Sequence, residues 1–320
     1  MIRALVVGWA TLAIYYQMSR SWLAIALALI VLALGIWGLW LARSRRPPLI
    51  FAAVLALVLV WWSTILPSHD REWRPEVAQM PRAIVDGDRV RFTGFRNFDY
   101  RSADDFTARY EEREVSISDL VAVDFFVSYW MPGPFGHTFV SFVFANSPPV
   151  NVSIETRTEV GEGFDPVASL FKVFDLIYVV GDERDIVGVR TNYRGEDVYM
   201  YRIRSTPEGA RRLFMVYLDR INSLADHAEW YHLISNSCTI NVIRYARSLT
   251  PLERFDPRFY LNGLIDRFLY SVDAVDTSVP FSELRERARI TDDAQAAGEP
   301  ADFYQRIRQA ALPPGPVSLR

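Results

Sequence analysis

The chain has 320 residues, a net charge of -3 and hydrophobic side chains at half of its positions, which suffices for two domains or for one domain with a membrane anchor. The slightly acidic balance excludes the clustered basic surface that nucleic-acid binding requires. Cys238 is the single cysteine, which excludes an intrachain disulfide, so the stability of the fold depends on its hydrophobic core.

Two long apolar segments near the N-terminus predict a membrane anchor over residues 1–66. Residues 21–42 contain no charged side chain, and residues 47–66 form a second such run. A helix needs about 20 apolar residues to cross the hydrocarbon of a bilayer. Residues 4–16 are apolar but shorter, and they could form a third span or an interfacial helix. A buried core helix is the alternative for any apolar run, but two adjacent charge-free runs favour membrane spans.

The loop between the two long runs predicts how the anchor is oriented. It contains Arg43, Arg45 and Arg46, and the positive-inside rule places such a loop in the cytoplasm. The chain after Leu66 is then expected outside the cytoplasm, in the periplasm of a Gram-negative cell, with the anchor in the inner (cytoplasmic) membrane. No small-residue cleavage site follows the runs, which predicts retained spans and not a signal peptide.

The rest of the chain predicts an α+β domain over residues 82–275, after a proline-punctuated linker over residues 67–81. Alternation rich in Val, Ile, Phe and Tyr predicts strands at 89–98, 120–130, 137–145, 150–158, 174–180 and 197–205. The sequence "ANSPP" predicts a turn, which would place His137 and Glu155 on neighbouring antiparallel strands. Helical spacing predicts helices at 205–225 and 238–249. Residues 276–320 are expected to form a helical extension with a loose tail from Leu312.

The lone cysteine lies in a polar setting at a predicted helix start. Ser235, Asn236 and Ser237, all good capping residue types, precede Cys238. The unpaired N–H groups and the positive end of the helix dipole would stabilise a thiolate there. A nucleophilic cysteine also needs a base within hydrogen-bond reach. The alternative interpretation is a buried structural cysteine.

Four histidines are candidates for that base: His69, His137, His227 and His232. His69 lies in the predicted linker and is expected to be exposed to solvent. His232 is only six residues before Cys238 and stays open as a candidate. His137 is favoured, because a loop rich in glycine and proline delivers it to the first position of an apolar strand, where an imidazole can be held rigidly. A histidine that merely begins a strand is the alternative.

Four segments carry a resemblance to a known family: "FFVSYWMPGPFGHTFVSFVF", "VSIETRTEVGEGFDP", "GDERDIVGVRT" and "SNSCTINVIRYARSL". Over residues 100–270 the chain resembles the Lnb-type periplasmic domain family, formerly known only as a domain of unknown function and now associated with lipoprotein N-acyltransferases. That family is similar to the NlpC/P60 and papain-like thiol enzymes in a circularly permuted order, with the histidine strand before the cysteine helix. The resemblance implies a permuted papain-like fold, with Cys238 as nucleophile and His137 as its base.

A third, polar residue orients the histidine in sites of this kind. Glu155 on the next strand is the first candidate and Ser153 is the second. The charged run Asp182–Asp185 is expected to be an ion-pair turn at the surface, with Arg157 and Arg190 as partners for it or for a phosphate. The side chains expected to bind substrate are Tyr129, Trp130, Arg157 and Asn236.

The resemblance implies a membrane-anchored, cysteine-dependent acyltransferase similar to the lipoprotein N-acyltransferases. Its partners would be a phospholipid acyl donor and a lipoprotein acceptor, and Cys238 would carry the acyl chain as a thioester. A cysteine peptidase or amidase acting on peptidoglycan or envelope protein would use the same two residues. A non-catalytic envelope scaffold, with Cys238 buried away from any histidine, is the third hypothesis. No metal-binding or nucleotide-binding motif is evident, so no cofactor is expected.

Overall fold

The computed structural model describes residues 1–18, 21–251, 255–298 and 301–311. Residues 312–320, predicted to be a loose tail, lie outside the described residues. The described part is a mixed α+β domain that follows a bundle of apolar helices.

The apolar bundle consists of α1 (Ile2–Gln17), α2 (Trp22–Ile36, continued by a π-helical turn at Trp37–Leu41) and α3 (Arg46–Thr64). By length and composition, the helices Trp22–Leu41 and Arg46–Thr64 could each cross a membrane. The shorter α1 packs against both of them, since all three contribute to one buried cluster, made of Val7, Ala10, Ile14, Ala28, Val31, Phe51 and Val58.

A mixed sheet forms the centre of the domain. Its strands are β1 (Arg82–Asp86), β2 (Arg89–Arg96), β5 (Tyr110–Ser116), β6 (Leu120–Tyr129), β7 (His137–Phe144), β8 (Val150–Arg157), β9 (Asp175–Gly181) and β10 (Asp197–Arg202); β3 (Asp99–Tyr100) and β4 (Phe106–Thr107) form a separate hairpin. The strand order is β1-β2-β9-β8-β7-β6-β10, with β5 paired to β2. Pairing is antiparallel, as predicted for β7 and β8, except for one parallel contact of β2 with β9 at Arg96 and Gly181.

Helices cover both faces of this sheet. They are α4 (Glu183–Ile186), α5 (Pro207–Asp226), α6 (Cys238–Leu249), α7 (Ile265–Ser271), α8 (Phe281–Ala288), α9 (Thr291–Ala297) and α10 (Phe303–Ala311). Successive side chains of a strand point to opposite faces. On β6, Phe125 and Val127 therefore join the cluster with α5 and α6, whereas Phe126 joins the cluster with α9 and α10.

Two segments predicted to lie outside the domain pack against it. In residues 67–81, Trp73 forms a β-bridge with Glu159, and the Arg157 side chain donates to the carbonyls of Val77 and Ala78. In the C-terminal helices, Phe303 and Ile307 are fully buried against the second face of the sheet. Both segments therefore belong to the packed structure of the domain.

One end of the sheet contacts the apolar bundle. The Gln17 amide at the end of α1 donates to the carbonyls of Phe171 and Lys172, at 2.8 and 2.7 Å. The ammonium of Lys172, the single lysine of the chain, donates to the carbonyls of Trp62 and Ile65 at the end of α3. Both carbonyls lie at the C-terminal end of α3, where the last turn leaves carbonyl oxygens available to side-chain donors. The loop before β9 thus joins the domain to the ends of two helices of the apolar bundle.

Candidate active site

Cys238 is the first residue of α6, as predicted. Ser237 precedes it in extended backbone, and the Ser237 carbonyl accepts the first helical hydrogen bond, from the N–H of Asn241 at 3.0 Å. The thiol therefore lies in the first helical turn, where the helix dipole favours negative charge. The residue is only 3% exposed, yet its side chain lines a cavity.

His137 is the first residue of β7, and the chain before it approaches β6 closely. A Cβ atom added at Gly136 would lie 2.8 Å from the carbonyl oxygen of Ser128, so a larger residue would not fit there. The Asn262 side chain accepts from the N–H of Gly136 at 2.9 Å and donates to its carbonyl at 2.5 Å. These contacts fix the position from which the imidazole extends.

The imidazole of His137 forms a hydrogen bond with the sulfur of Cys238. Burial raises the pKa of the Cys238 thiol, but the positive charge of His137, its hydrogen bond to the sulfur and the backbone N–H of Thr138 outweigh burial. The net effect lowers the pKa from 9.0 to about 6. At neutral pH this cysteine is a thiolate, which is the nucleophilic form of the residue.

Two residues of β8 lie behind the imidazole. The Nε2 atom of His137 is 2.7 Å from the hydroxyl oxygen of Ser153 and 3.8 Å from Oε1 of Glu155. Because Nε2 contacts these two oxygens, we assign the hydrogen bond with the sulfur to Nδ1. Burial raises the pKa of Glu155, but Arg190, which donates to its Oε1 at 2.8 Å, and His137 hold that pKa well below its usual range. Glu155 is therefore ionised.

Of the four side chains predicted to bind substrate, Trp130 lines the cavity and the other three hold backbone segments in place. Tyr129 donates to the carbonyl of Gly263 at 2.6 Å, and Asn236 donates to the carbonyl of Trp230 at 2.9 Å. Arg157 is 3% exposed and its guanidinium stacks over Trp73 besides its two carbonyl contacts. The structure does not bring Arg157 into the cavity, because its N–H groups donate to the carbonyls of Val77 and Ala78.

Two other histidines are held elsewhere. His69 contacts the carbonyl of Leu224 through Nε2 at 2.8 Å and is partly buried, not exposed as predicted. His232 contacts the Ser235 hydroxyl at 3.0 Å. The hydrogen bond to the sulfur of Cys238 comes from His137.

Sequence reasoning missed Asn262 and Tyr231. The Nδ2 atom of Asn262 lies 3.9 Å from the sulfur of Cys238. The phenol of Tyr231 faces the same residue, and burial together with the nearby sulfur raises the pKa of Tyr231 well above its usual value. Neither residue stands in a sequence pattern that indicates chemistry. Both contacts arise from folding.

The cavity at Cys238 has a volume of about 440 Å³. Its charged wall contains Glu155, Arg190, Arg194 and Glu196, and the rest is largely apolar, with Trp130, Met131, Phe135, Phe164, Leu233 and Tyr260. Within the residues that the structure describes, no group of three His, Cys, Asp or Glu side chains could hold a metal ion.

No curated protein and no solved structure matches this chain. A family model does: the Lnb N-terminal periplasmic domain matches residues 106–277. The matched region covers more than half of the chain and includes both His137 and Cys238. The chain therefore belongs to the family of the Lnb N-terminal periplasmic domain.

Proposed function

We propose that this protein is a membrane-anchored, periplasmic, cysteine-dependent acyltransferase that carries the acyl chain as a thioester on Cys238. The observation that carries the proposal is the combination of a thiolate with a mainly apolar cavity. The sulfur has a pKa of about 6, and aromatic and aliphatic side chains surround the space in front of it. Such a cavity suits a hydrocarbon chain that ends in a reactive carbonyl.

In the first step, the thiolate of Cys238 attacks the ester carbonyl of a phospholipid. A bond forms between Sγ and the carbonyl carbon, the ester C–O bond breaks, and the proton of the His137 imidazolium passes to the leaving alkoxide. The remaining lysophospholipid departs. The thioester left on Cys238 is activated toward amines.

In the second step, an amine of the acceptor attacks the thioester carbon. His137, now neutral, takes the proton of the amine as the new amide bond forms, and the sulfur leaves as a thiolate. The acceptor amine is proposed to be the N-terminus of a lipoprotein. This step restores the starting ion pair of Cys238 and His137.

Both steps pass through an oxyanion that needs hydrogen-bond donors close to the sulfur. Cys238 supplies its own backbone N–H in the first turn of α6. The Asn262 amide, 3.9 Å from Sγ, is a second candidate donor. Its other contacts, to both backbone groups of Gly136, hold it in place without substrate.

The charged wall of the cavity favours a second candidate function. Arg194, which is exposed at this wall, could bind a carboxylate of a peptide, which would suit a cysteine peptidase or amidase acting on peptidoglycan or envelope protein. The thiolate and the imidazole would play the same roles, with water in place of the amine. The third hypothesis, a scaffold, requires Cys238 to lie away from any histidine, and the contact with His137 argues against it.

Mass spectrometry of the full chain after incubation with phospholipid vesicles tests the proposal. We expect an acyl adduct on Cys238 that hydroxylamine removes, and its absence in Cys238→Ala. Cys238→Ser is the chemical control, since an acyl group on its hydroxyl is an oxygen ester, which resists hydroxylamine at neutral pH where a thioester is cleaved. Absence of any adduct, together with release of peptides or amines from cell-wall material, would replace acyl transfer with hydrolysis.

A further inference from the structure

Six large apolar side chains that line the cavity are also exposed to solvent, with exposed fractions between 36% and 56%. We name them the apolar rim: Trp130, Met131, Phe135, Phe164, Leu233 and Tyr260. Val167 and Ile234, which are 45% and 52% exposed, extend the rim along the chain without lining the cavity. An exposed apolar patch of this kind marks a surface that meets another apolar phase or partner.

One side of the apolar rim lies next to the residues that contact the N-terminal helices. The N–H of Leu233 donates to the carbonyl of Ser169 at 3.4 Å. Two residues further along, Phe171 stacks on Tyr16 of α1, with ring centroids 5.5 Å apart, and meets Trp62 of α3 edge-on. The rim is therefore continuous with the end of the bundle.

The direction of the strands supports the same placement. β6 ends and β7 begins at the cavity, and at this end of the sheet Arg157 of β8 pairs with Asp175 of β9, close after the Phe171 loop. The site and the anchor therefore share one end of the sheet. Val121, at the start of β6, lies eight residues from Tyr129, or about 26 Å at about 3.3 Å per residue.

We infer that the apolar rim is inserted into the headgroup–acyl boundary of the same bilayer that the anchor helices cross. Trp, Tyr, Phe and Leu are the side chains that settle at this depth. The mouth of the cavity then opens into lipid, and an acyl chain reaches Cys238 sideways without crossing water. The bilayer contact follows from the surface and the anchor, whereas the path of the acyl chain rests on the proposed function.

Site-directed spin labelling of the full chain in lipid nanodiscs tests the contact. Cys238→Ala removes the single cysteine, so Val167→Cys, Ile234→Cys and Trp130→Cys each provide one label. We expect these labels to collide more often with oxygen, which concentrates in lipid, than with a water-soluble nickel chelate. Val121→Cys is the matched control, since Val121 is 41% exposed and lies at the opposite end of β6, and its label should collide mainly with nickel.

Two results would overturn the inference. Rim labels with the same collision ratio as Val121→Cys would place the rim in water. Rim labels shielded from both reagents would show a rim covered by protein, from a second copy or another partner. The outcome is independent of the acyl-adduct experiment: labels in lipid without an adduct on Cys238 would retain the membrane contact and reject acyl transfer, and the reverse result would do the opposite.

Discussion

The reactivity of Cys238 depends on the balance between burial of the sulfur and the nearby imidazole. Burial alone would keep the thiol protonated, because an ion is poorly solvated there. The charge and hydrogen bond of His137, together with the hydrogen bonds of Thr138, reverse that effect and bring the pKa to about 6. His137 makes the largest contribution to the ionisation of this thiol at neutral pH.

Replacing His137 with alanine should return the pKa of Cys238 to 9 or above, because burial then raises the pKa without the opposing charge and hydrogen bond of the imidazole. At pH 7 the thiolate fraction should fall by about a hundredfold. The rate of alkylation by iodoacetamide, measured against pH, reports this directly, since Cys238 is the single cysteine. In the unmodified protein the rate should rise as pH increases through about 6.

His69→Ala is the matched control for this experiment, because His69 contacts the carbonyl of Leu224 and not the sulfur. Its alkylation profile should match that of the unmodified protein. Identical profiles for His137→Ala and His69→Ala would remove His137 from the role of base.

Ser153 holds the imidazole more directly than Glu155 does. Its hydroxyl oxygen lies 2.7 Å from Nε2, against 3.8 Å for Oε1 of Glu155. We expect Ser153→Ala to lower the rate of Cys238 acylation about tenfold, the value of one hydrogen bond of about 1.4 kcal/mol, with little change in KM. Single-turnover acylation followed by mass spectrometry measures this rate.

Ser141→Ala is a suitable control, since Ser141 is equally buried in the same sheet but contacts Asn151. It should leave the acylation rate unchanged. Full activity of Ser153→Ala together with loss of activity in Glu155→Gln would instead assign the orienting role to Glu155.

At the scale of elements, buried ion pairs fasten α10 to the sheet. The guanidinium of Arg308 contacts Asp124 of β6 at 2.8 Å and Glu183 of α4 at 2.6 Å, and both carboxylates are buried. Burial of apolar side chains from α9 and α10 adds to this attachment. The C-terminal helices are therefore part of what holds the second face of the sheet closed.

Arg308→Met should destabilise the domain by about 3–5 kcal/mol, because it leaves the buried carboxylate of Glu183 without its partner and leaves Asp124 paired with Arg202 alone. The midpoint of thermal unfolding in detergent measures the loss. Arg306→Met is the matched control on the same helix, since Arg306 pairs with Asp302 at the exposed surface. That change should cost less than about 1 kcal/mol. Equal midpoints for the two variants would contradict the role given to Arg308.

Local sequence patterns predicted the elements that carry the two main site residues. β7 begins at His137 and α6 begins at Cys238, as expected, because alternation and capping residues act over a few positions. Asn262 carried no such signal, since its partner Gly136 is 126 residues away along the chain. The side chain that completes a site from such a distance has no local pattern to identify it.

The charged run at Asp182–Asp185 was wrongly predicted to be a surface turn. Glu183 and Asp185 are buried, and they are neutralised by Arg308 and by Arg96, respectively. These partners lie 125 and 89 residues away. A run of charged residues suggests an exposed turn because the local sequence does not show which side chains pair with it. Here the pairing arginines come from distant elements.

At the scale of the whole molecule, the arginines of the apolar bundle lie at the end of the bundle that points away from the domain. Arg3 donates to the carbonyl of Leu39 at 2.8 Å, next to the loop that holds Arg43, Arg45 and Arg46. Gln17 and Trp62 lie at the other end, in contact with the domain. The helix α1 therefore runs the length of the bundle beside α2 and α3.

This arrangement predicts that the arginine end lies in the cytoplasm and the domain in the periplasm, because positive residues are retained on the cytoplasmic side. In the Cys238→Ala background, Ser44→Cys and Asp70→Cys place one exposed thiol at each end of α3. A membrane-impermeant maleimide added to intact spheroplasts should label Asp70→Cys at once and Ser44→Cys only after lysis. Labelling of Ser44→Cys before lysis would reverse the orientation, and it would also put Cys238 in the reducing cytoplasm, away from the periplasmic acceptor that the proposed function requires.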